Sequence, residues 1–201
     1  RQRQMCIRDR ISTVIGLAIG LVAGYVRWVD AVVMRAMDGL MAIPGVLLAI
    51  ALISLAGASL TNVIIAICIP EIPRVVRLVR SVVLTIREQP YVEAAIAVGS
   101  PLPKILIKHI LPNTVAPLIV QATYVCASAV VIEAILSFLG AGTPPEIPSW
   151  GNIMAEGRTY FQIAPWIIFF PGILLAITVL AVNVLGDGLR DSLDPRIARR
   201  M

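Results

Sequence analysis

Residues 164–185 read Ala-Pro-Trp-Ile-Ile-Phe-Phe-Pro-Gly-Ile-Leu-Leu-Ala-Ile-Thr-Val-Leu-Ala-Val-Asn-Val-Leu, 22 positions without one ionisable side chain. A helix rising about 1.5 Å per residue crosses the roughly 30 Å hydrocarbon core in about 20 residues, so this run is long enough to span. The whole chain agrees with it. Of 201 residues, 58% are hydrophobic and 14% charged, where soluble domains carry roughly a quarter charged. The mean hydropathy is +0.89. Such a chain cannot cover its core with polar surface in water, so it is read as an integral membrane protein. Disorder, collagen, a coiled coil and a disulfide-stapled secreted domain are excluded. Cys6, Cys68 and Cys126 are odd in number, and two lie in apolar runs. They form neither a disulfide set nor a metal framework.

Working outward gives four more spans: Ile11 to Val26, Asp38 to Ala56, Leu60 to Leu78 and Thr114 to Leu139. The expectation is an all-α, polytopic helix bundle of about five spans. Pro70, Glu71, Pro73 and Arg74 crowd the end of the third. Residues 57–62, small and polar, predict a helical hairpin between the second and third. Trp150, Tyr160 and Trp166 predict an aromatic belt at one interface.

Charge sets the orientation. Twelve of the 17 basic residues fall in Arg27 to Met37, in Arg74 to Asn113 and in the C-terminal tail. Only Arg158 falls in the two connections opposite. Basic loops stay cytoplasmic, which places the C terminus inside. The net charge of +5 is thereby absorbed, and nucleic-acid binding is not expected. Residues 1–10 would put four Arg on the outer side. They are read as a leader foreign to the membrane domain, which then occupies 11–201.

Residues 74–113 read as a long cytoplasmic loop with its own helical pattern, and such loops are usually functional. Gln89-Pro90 starts a short helix. Val92 and Ile96 share a face. Gly99 sits where a left-handed C-terminal cap falls. Ser100 caps a second helix with Pro101 as its first residue, Ile105, Leu106 and Ile110 form its apolar face, and Pro112 ends it. Two amphipathic helices around a glycine corner suit a membrane surface or a groove on a soluble partner. Periodicity does not separate these.

The residues themselves carry a resemblance. Glu93-Ala94-Ala95, then Gly99, then His109-Ile110-Leu111-Pro112 ten residues on, resembles the Glu-Ala-Ala loop of permeases in binding-protein-dependent ABC importers. His109 stands where many members have Ile, as is common in the dipeptide, oligopeptide and nickel branch. Residues 30–35, 42–45, 136–140, 148–152 and 186–196 are similar to the same branch. The likeness covers residues 11–201 and fits the second permease of a pair, with a first helix expected beyond this sequence.

The resemblance implies a cytoplasmic-membrane protein that works as a heterodimer with a homologous permease. Two ABC ATPase subunits would dock beneath, with an extracytoplasmic solute-binding protein above. ATP and Mg would sit on the ATPases, and no cofactor or metal on this chain. Val92, Glu93, Ala94, Ala95, Ile96, Gly99, His109, Leu111 and Pro112 are the expected coupling residues. Glu93 would pair with a basic group on the ATPase, and Val92 and Ile96 would fill its groove. The implied solute is a di- or oligopeptide; nickel, as a chelate, is the alternative.

Within the spans, Glu133 and Ser137 share a face of the fourth. An ionisable group at depth is costly and faces a cavity or a partner. They either line the translocation path or permease contact, or make an interhelical hydrogen bond that holds packing. Arg35 and Asp38, one turn apart, suit a local pair, but exposed pairs are worth little, and an interfacial anchor is the favoured role.

An enzyme is not expected. The sequence has no Gly-x-x-x-x-Gly-Lys-Ser/Thr, no Gly-x-Ser-x-Gly and no His-Glu-x-x-His. Glu133 reads as the only clearly buried acid, which leaves no carboxylate dyad. A channel or scaffold is the distant alternative, opposed by the Glu-Ala-Ala loop.

Overall fold

The computed structural model describes residues 2–57 and 59–193, with side chains placed for 12–57 and 59–192. The tail beyond Leu193, with the Asp194-Pro195-Arg196 part of the resemblance, lies outside the described residues. Among the described residues nine α-helices run in chain order: α1 Gln2–Tyr25, α2 Arg27–Ala42, α3 Gly45–Ala56, α4 Leu60–Arg87, α5 Pro90–Ala97, α6 Leu102–Ile105, α7 Leu111–Phe138, α8 Trp150–Gly157 and α9 Trp166–Leu193. A π-helical turn, Leu106–Ile110, joins α6 to α7, and no strand occurs among the described residues.

Helices stand at all five expected spans, as α1, the α2–α3 pair, α4, α7 and α9, but their bounds change, and among the described residues only two of them, or three with the bent α2–α3 pair, are long and apolar enough to cross a membrane. Leu102–Phe138 and Trp166–Ser192 are long and apolar enough to span alone. The expected second span, Asp38 to Ala56, is broken: α2 and α3 meet at 88°. Pro44 caps α3 there, because Pro lacks a donor and biases the preceding residue to extended backbone. The third span does not end near Leu78. α4 runs on to Arg87 with Pro70 and Pro73 inside it, about 42 Å at 1.5 Å per residue. So residues 74–87 belong to a long helix and not to the predicted loop.

α1 and α4 run parallel in close contact. Gly16, Gly20 and Gly24, spaced by four, lie against Val75, Val79 and Val83, also spaced by four. Four residues keep positions on one helical face. A Cβ on Gly20 would lie 2.7 Å from Val79 Cβ and 3.0 Å from the Val76 carbonyl oxygen. Lipid tails are as apolar as leucine, so small residues that let backbones approach supply the packing between spans.

α3 runs antiparallel to α4, with Gly45 beside Pro70 and Ala56 beside Asn62, and α2, turned 88° from α3, is tied to α4 by two ion pairs. Asp30 holds Arg80 through both carboxylate oxygens, the Nη2–Oδ2 contact being 2.6 Å. Asp38 meets Arg77 at 2.5 Å. The expected Arg35–Asp38 pair is therefore not formed: Asp38 turns to α4. At the other end Asn62 Nδ2 donates to the Ala56 and Gly57 carbonyls at 2.7 and 3.0 Å, fastening the hairpin foreseen at 57–62.

The ends of α1, α4 and α9 and the start of α7 gather at one end of the bundle. Arg87 Nη1 reaches the Tyr25 carbonyl there at 3.5 Å. This end carries Arg27, Arg77, Arg80, Lys104, Lys108 and Arg190, whereas Arg158 lies at the other, over the Phe138 ring. The charge asymmetry of the sequence is thus an asymmetry of the folded bundle.

Candidate functional site

The glycine corner sits at the basic end. Val92 of α5, Ile105 of α6 and Ile110 are buried together against Val83 and Ile86 of α4 and Leu118 of α7. These three side chains pin the short helices to the bundle. Where such elements leave the bilayer the hydrophobic effect applies, and burying a Val or Ile is worth about 1.5–3 kcal/mol. Val92 is 0% exposed. This corrects the expectation that Val92 fills a partner's groove: it fills a hole in its own chain. Only Ile96 of that pair faces out.

The corner itself closes as foreseen. Gly99 has φ +80°, which a residue with a Cβ adopts only under strain. Its N–H donates to Ile96 O at 2.9 Å, and Ser100 N–H donates to Ala95 O at 3.1 Å. This double bond pattern satisfies the last carbonyls of α5. The next helix differs by one position: Pro101, not Ser100, is its cap, and Leu102 is its first residue. Pro112 does not end it. Leu111 N–H reaches back five residues to Leu106 O, and this widened turn lets the helix pass Pro112, which has no N–H to give. The second helix of the corner is therefore continuous with the spanning helix α7. A force on the corner is applied directly to a span.

Tyr91 and His109 brace the corner, ring centroids 6.3 Å apart. Asn113 Nδ2 donates to Tyr91 Oη at 3.2 Å and to His109 O at 2.8 Å. Glu93, Ala94, Ile96, Ala97 and Gly99 are exposed, and Val98 is 85% exposed. With Leu102 and Ile107, also exposed, they form an apolar surface beside one carboxylate. Among the described residues Glu93 joins no ion pair. Contiguous exposed apolar surface of this kind marks an interaction site. Ala95 and Leu111 are partly buried, and Pro112 is exposed.

At the opposite end Ser137 Oγ donates to Glu133 Oε1 at 2.7 Å, and Thr143 Oγ1 donates to the same oxygen at 3.2 Å. Asn152 Nδ2 bonds the Thr143, Pro144 and Ile147 carbonyls at 3.3, 3.2 and 2.9 Å. Glu133 and Ser137 do come together, as the anchor of residues 140–152. Gly142 is forced here: a Cβ would lie 2.2 Å from Ser137 Oγ. Glu133→Gln keeps an acceptor oxygen and is expected to leave thermal stability nearly unchanged. Glu133→Ala strands two hydroxyls and should lower stability by about 1–3 kcal/mol, read as a lower melting temperature of the purified complex.

Glu133 is not the only buried acid. Glu71, on α4, is 1% exposed and bridges Arg74 at 2.7 Å. The sequence hid it because Pro70 and Pro73 made the segment look like a helix end. The four-residue spacing of Gly16, Gly20 and Gly24 is a further signal in the sequence, pointing to a close helix contact.

The profile of a family described as the binding-protein-dependent transport system inner membrane component matches residues 15–199. The chain belongs to this family. It is therefore a multi-pass membrane component of a transport system. It is 60% identical over 202 residues to a protein of Sinorhizobium fredii named as a probable peptide ABC transporter permease, across 95% of this chain and 69% of that one. It is 44% identical to the dipeptide transport system permease of Alkalihalophilus pseudofirmus, across 92% and 62%. It is 42% identical to the glutathione transport system permease of Pectobacterium atrosepticum, across 93% and 62%. The chain thus spans about two thirds of the length of these permeases. Its fold is similar to an inward-facing structure of the MetNI methionine ABC transporter, with TM-score 0.66, 19% identity, and coverage of 96% of this chain and 94% of that one.

Proposed function

We propose that the protein containing this chain is a permease subunit of an ATP-driven importer, carrying di- or oligopeptides across the cytoplasmic membrane by alternating access. Its partners are a second, homologous permease, two ABC ATPases that hold the ATP and Mg, and an extracytoplasmic binding protein. The basic end, with the C terminus, faces the cytoplasm. The observation that carries this reading is the corner: a surface of Glu93, Ile96 and Val98, pegged from behind by Val92 and Ile105 and continuous with α7. It is built as a stiff handle for a soluble subunit. The relatives named for peptides, dipeptides and glutathione, itself a tripeptide, support the solute class.

The test is uptake of radiolabelled alanyl-alanine into proteoliposomes holding the full-length protein with its partners. Uptake is expected only with both ATP and loaded binding protein. Uptake that runs down its gradient without ATP would indicate a channel instead.

A further inference from the structure

A cavity of about 530 Å³ opens beside the α2–α3 elbow. Pro44, Glu71 and Arg74, Tyr124 and Ser128, and Asn183 contribute to its wall from the elbow, α4, α7 and α9. Clefts of roughly 300–1,000 Å³ hold molecules of drug size, a range that includes short peptides. Counting about 1.5 Å per residue, Glu71 lies about 17 Å and Arg74 about 21 Å along the 28-residue α4 from its Leu60 end.

These charges restrict what the cavity can face. The Arg74 side chain is 45% exposed, and Tyr124 is exposed beside it. A half-exposed guanidinium on a membrane-protein bundle is expensive against hydrocarbon and stands where it meets water or a polar partner. The mouth therefore opens on a polar volume. Between two paired permeases, that volume is the route of the solute.

We propose that this cavity is a subsite for a zwitterionic short peptide, with Arg74 taking the terminal carboxylate and Glu71 the terminal ammonium. The proposal rests on the peptide-importer reading above. With no peptide bound, the two side chains compensate each other through their 2.7 Å bridge. A zwitterion brings one charge of each sign, so it replaces that bridge without leaving a charge alone. The Tyr124 and Ser128 hydroxyls and the Asn183 amide supply donors and acceptors for the peptide bond.

The experiment uses the full-length protein with its partner subunits in proteoliposomes. Arg74→Gln should lower alanyl-alanine uptake by about tenfold or more, and Arg74→Lys should restore it to within about threefold. In a variant with Cys6, Cys68 and Cys126 changed to Ser, Asn183→Cys should react with a small maleimide. Alanyl-alanine should slow that reaction, whereas N-acetyl-alanyl-alanine amide, lacking both charges, should not.

Uptake by Arg74→Gln within about twofold of wild type would overturn the proposal. So would equal failure of the Gln and Lys variants, or wild-type alanyl-alanine uptake without protection at position 183. A wild-type complex that imports no alanyl-alanine overturns the peptide-importer reading, and this subsite with it.

Discussion

Gly20→Leu is expected to unmake the bundle. The three glycines of α1 meet three valines of α4 so closely that even the first carbon of a side chain has no room. At Gly20 the nearest atoms include a backbone carbonyl oxygen, 3.0 Å from the Cβ position. Backbone cannot rotate away as a side-chain tip can. An alanine there gains up to about 1 kcal/mol of helix propensity, and overpacking of about 1–3 kcal/mol cancels or exceeds it. Leucine adds three more carbons and should cost more than 3 kcal/mol. The purified complex should melt many degrees lower or fail to assemble. Gly39→Ala is the control, because nothing lies within 4 Å of a Cβ there; it should be neutral or slightly stabilising. A Gly20→Leu complex melting with wild type would show that the α1–α4 contact is not as close as described.

The second large effect separates folding from docking within one short helix. Glu93→Lys reverses an exposed charge and should leave the melting temperature unchanged, while ATP-driven uptake falls by about thirtyfold or more. Truncating or reversing one member of a partner-facing charge pair costs roughly 2–5 kcal/mol. Val98→Asp should behave alike, since that side chain is almost wholly exposed. Val92→Ala, one position before Glu93, should do the opposite: stability drops by about 1–3 kcal/mol through the cavity it leaves, and uptake per folded complex stays closer to wild type. Equal loss of stability in all three variants would mean that the outer surface of α5 is packed within the permease and is no docking site.

The parts of this molecule that could be read from its sequence share a property: their signals are local. The apolar run of α9 and the hairpin at 57–62 are patterns within a few turns. So is the left-handed Gly99, set four residues after the Ala94-Ala95 pair. What escaped depended on a second element. Pro70 and Pro73 look like terminators until α4 is embedded among neighbours that tolerate them. The residues after them, Arg77 and Arg80, read as loop charges because their partners, Asp38 and Asp30, lie 39 and 50 positions away. Val92 and Ile96 share a face by spacing, but α5 turns only Val92 toward α4. Glu133 was legible as a buried acid next to Ser137. Its bond to Thr143 was not, because loop 140–152 folds back through glycines whose need for space only the packed structure reveals.

The central claim is that an ATPase subunit grips the glycine corner. It is tested most directly by placing a single cysteine at Val98 in the full-length complex and asking what it crosslinks. The account predicts a short-span crosslink to an ATPase subunit, with a yield that changes on adding ATP, and no such product from a cysteine at Ile147 in the opposite loop. A corner cysteine that never joins an ATPase, or that is labelled only by impermeant reagent added to the outside of cells, would contradict it.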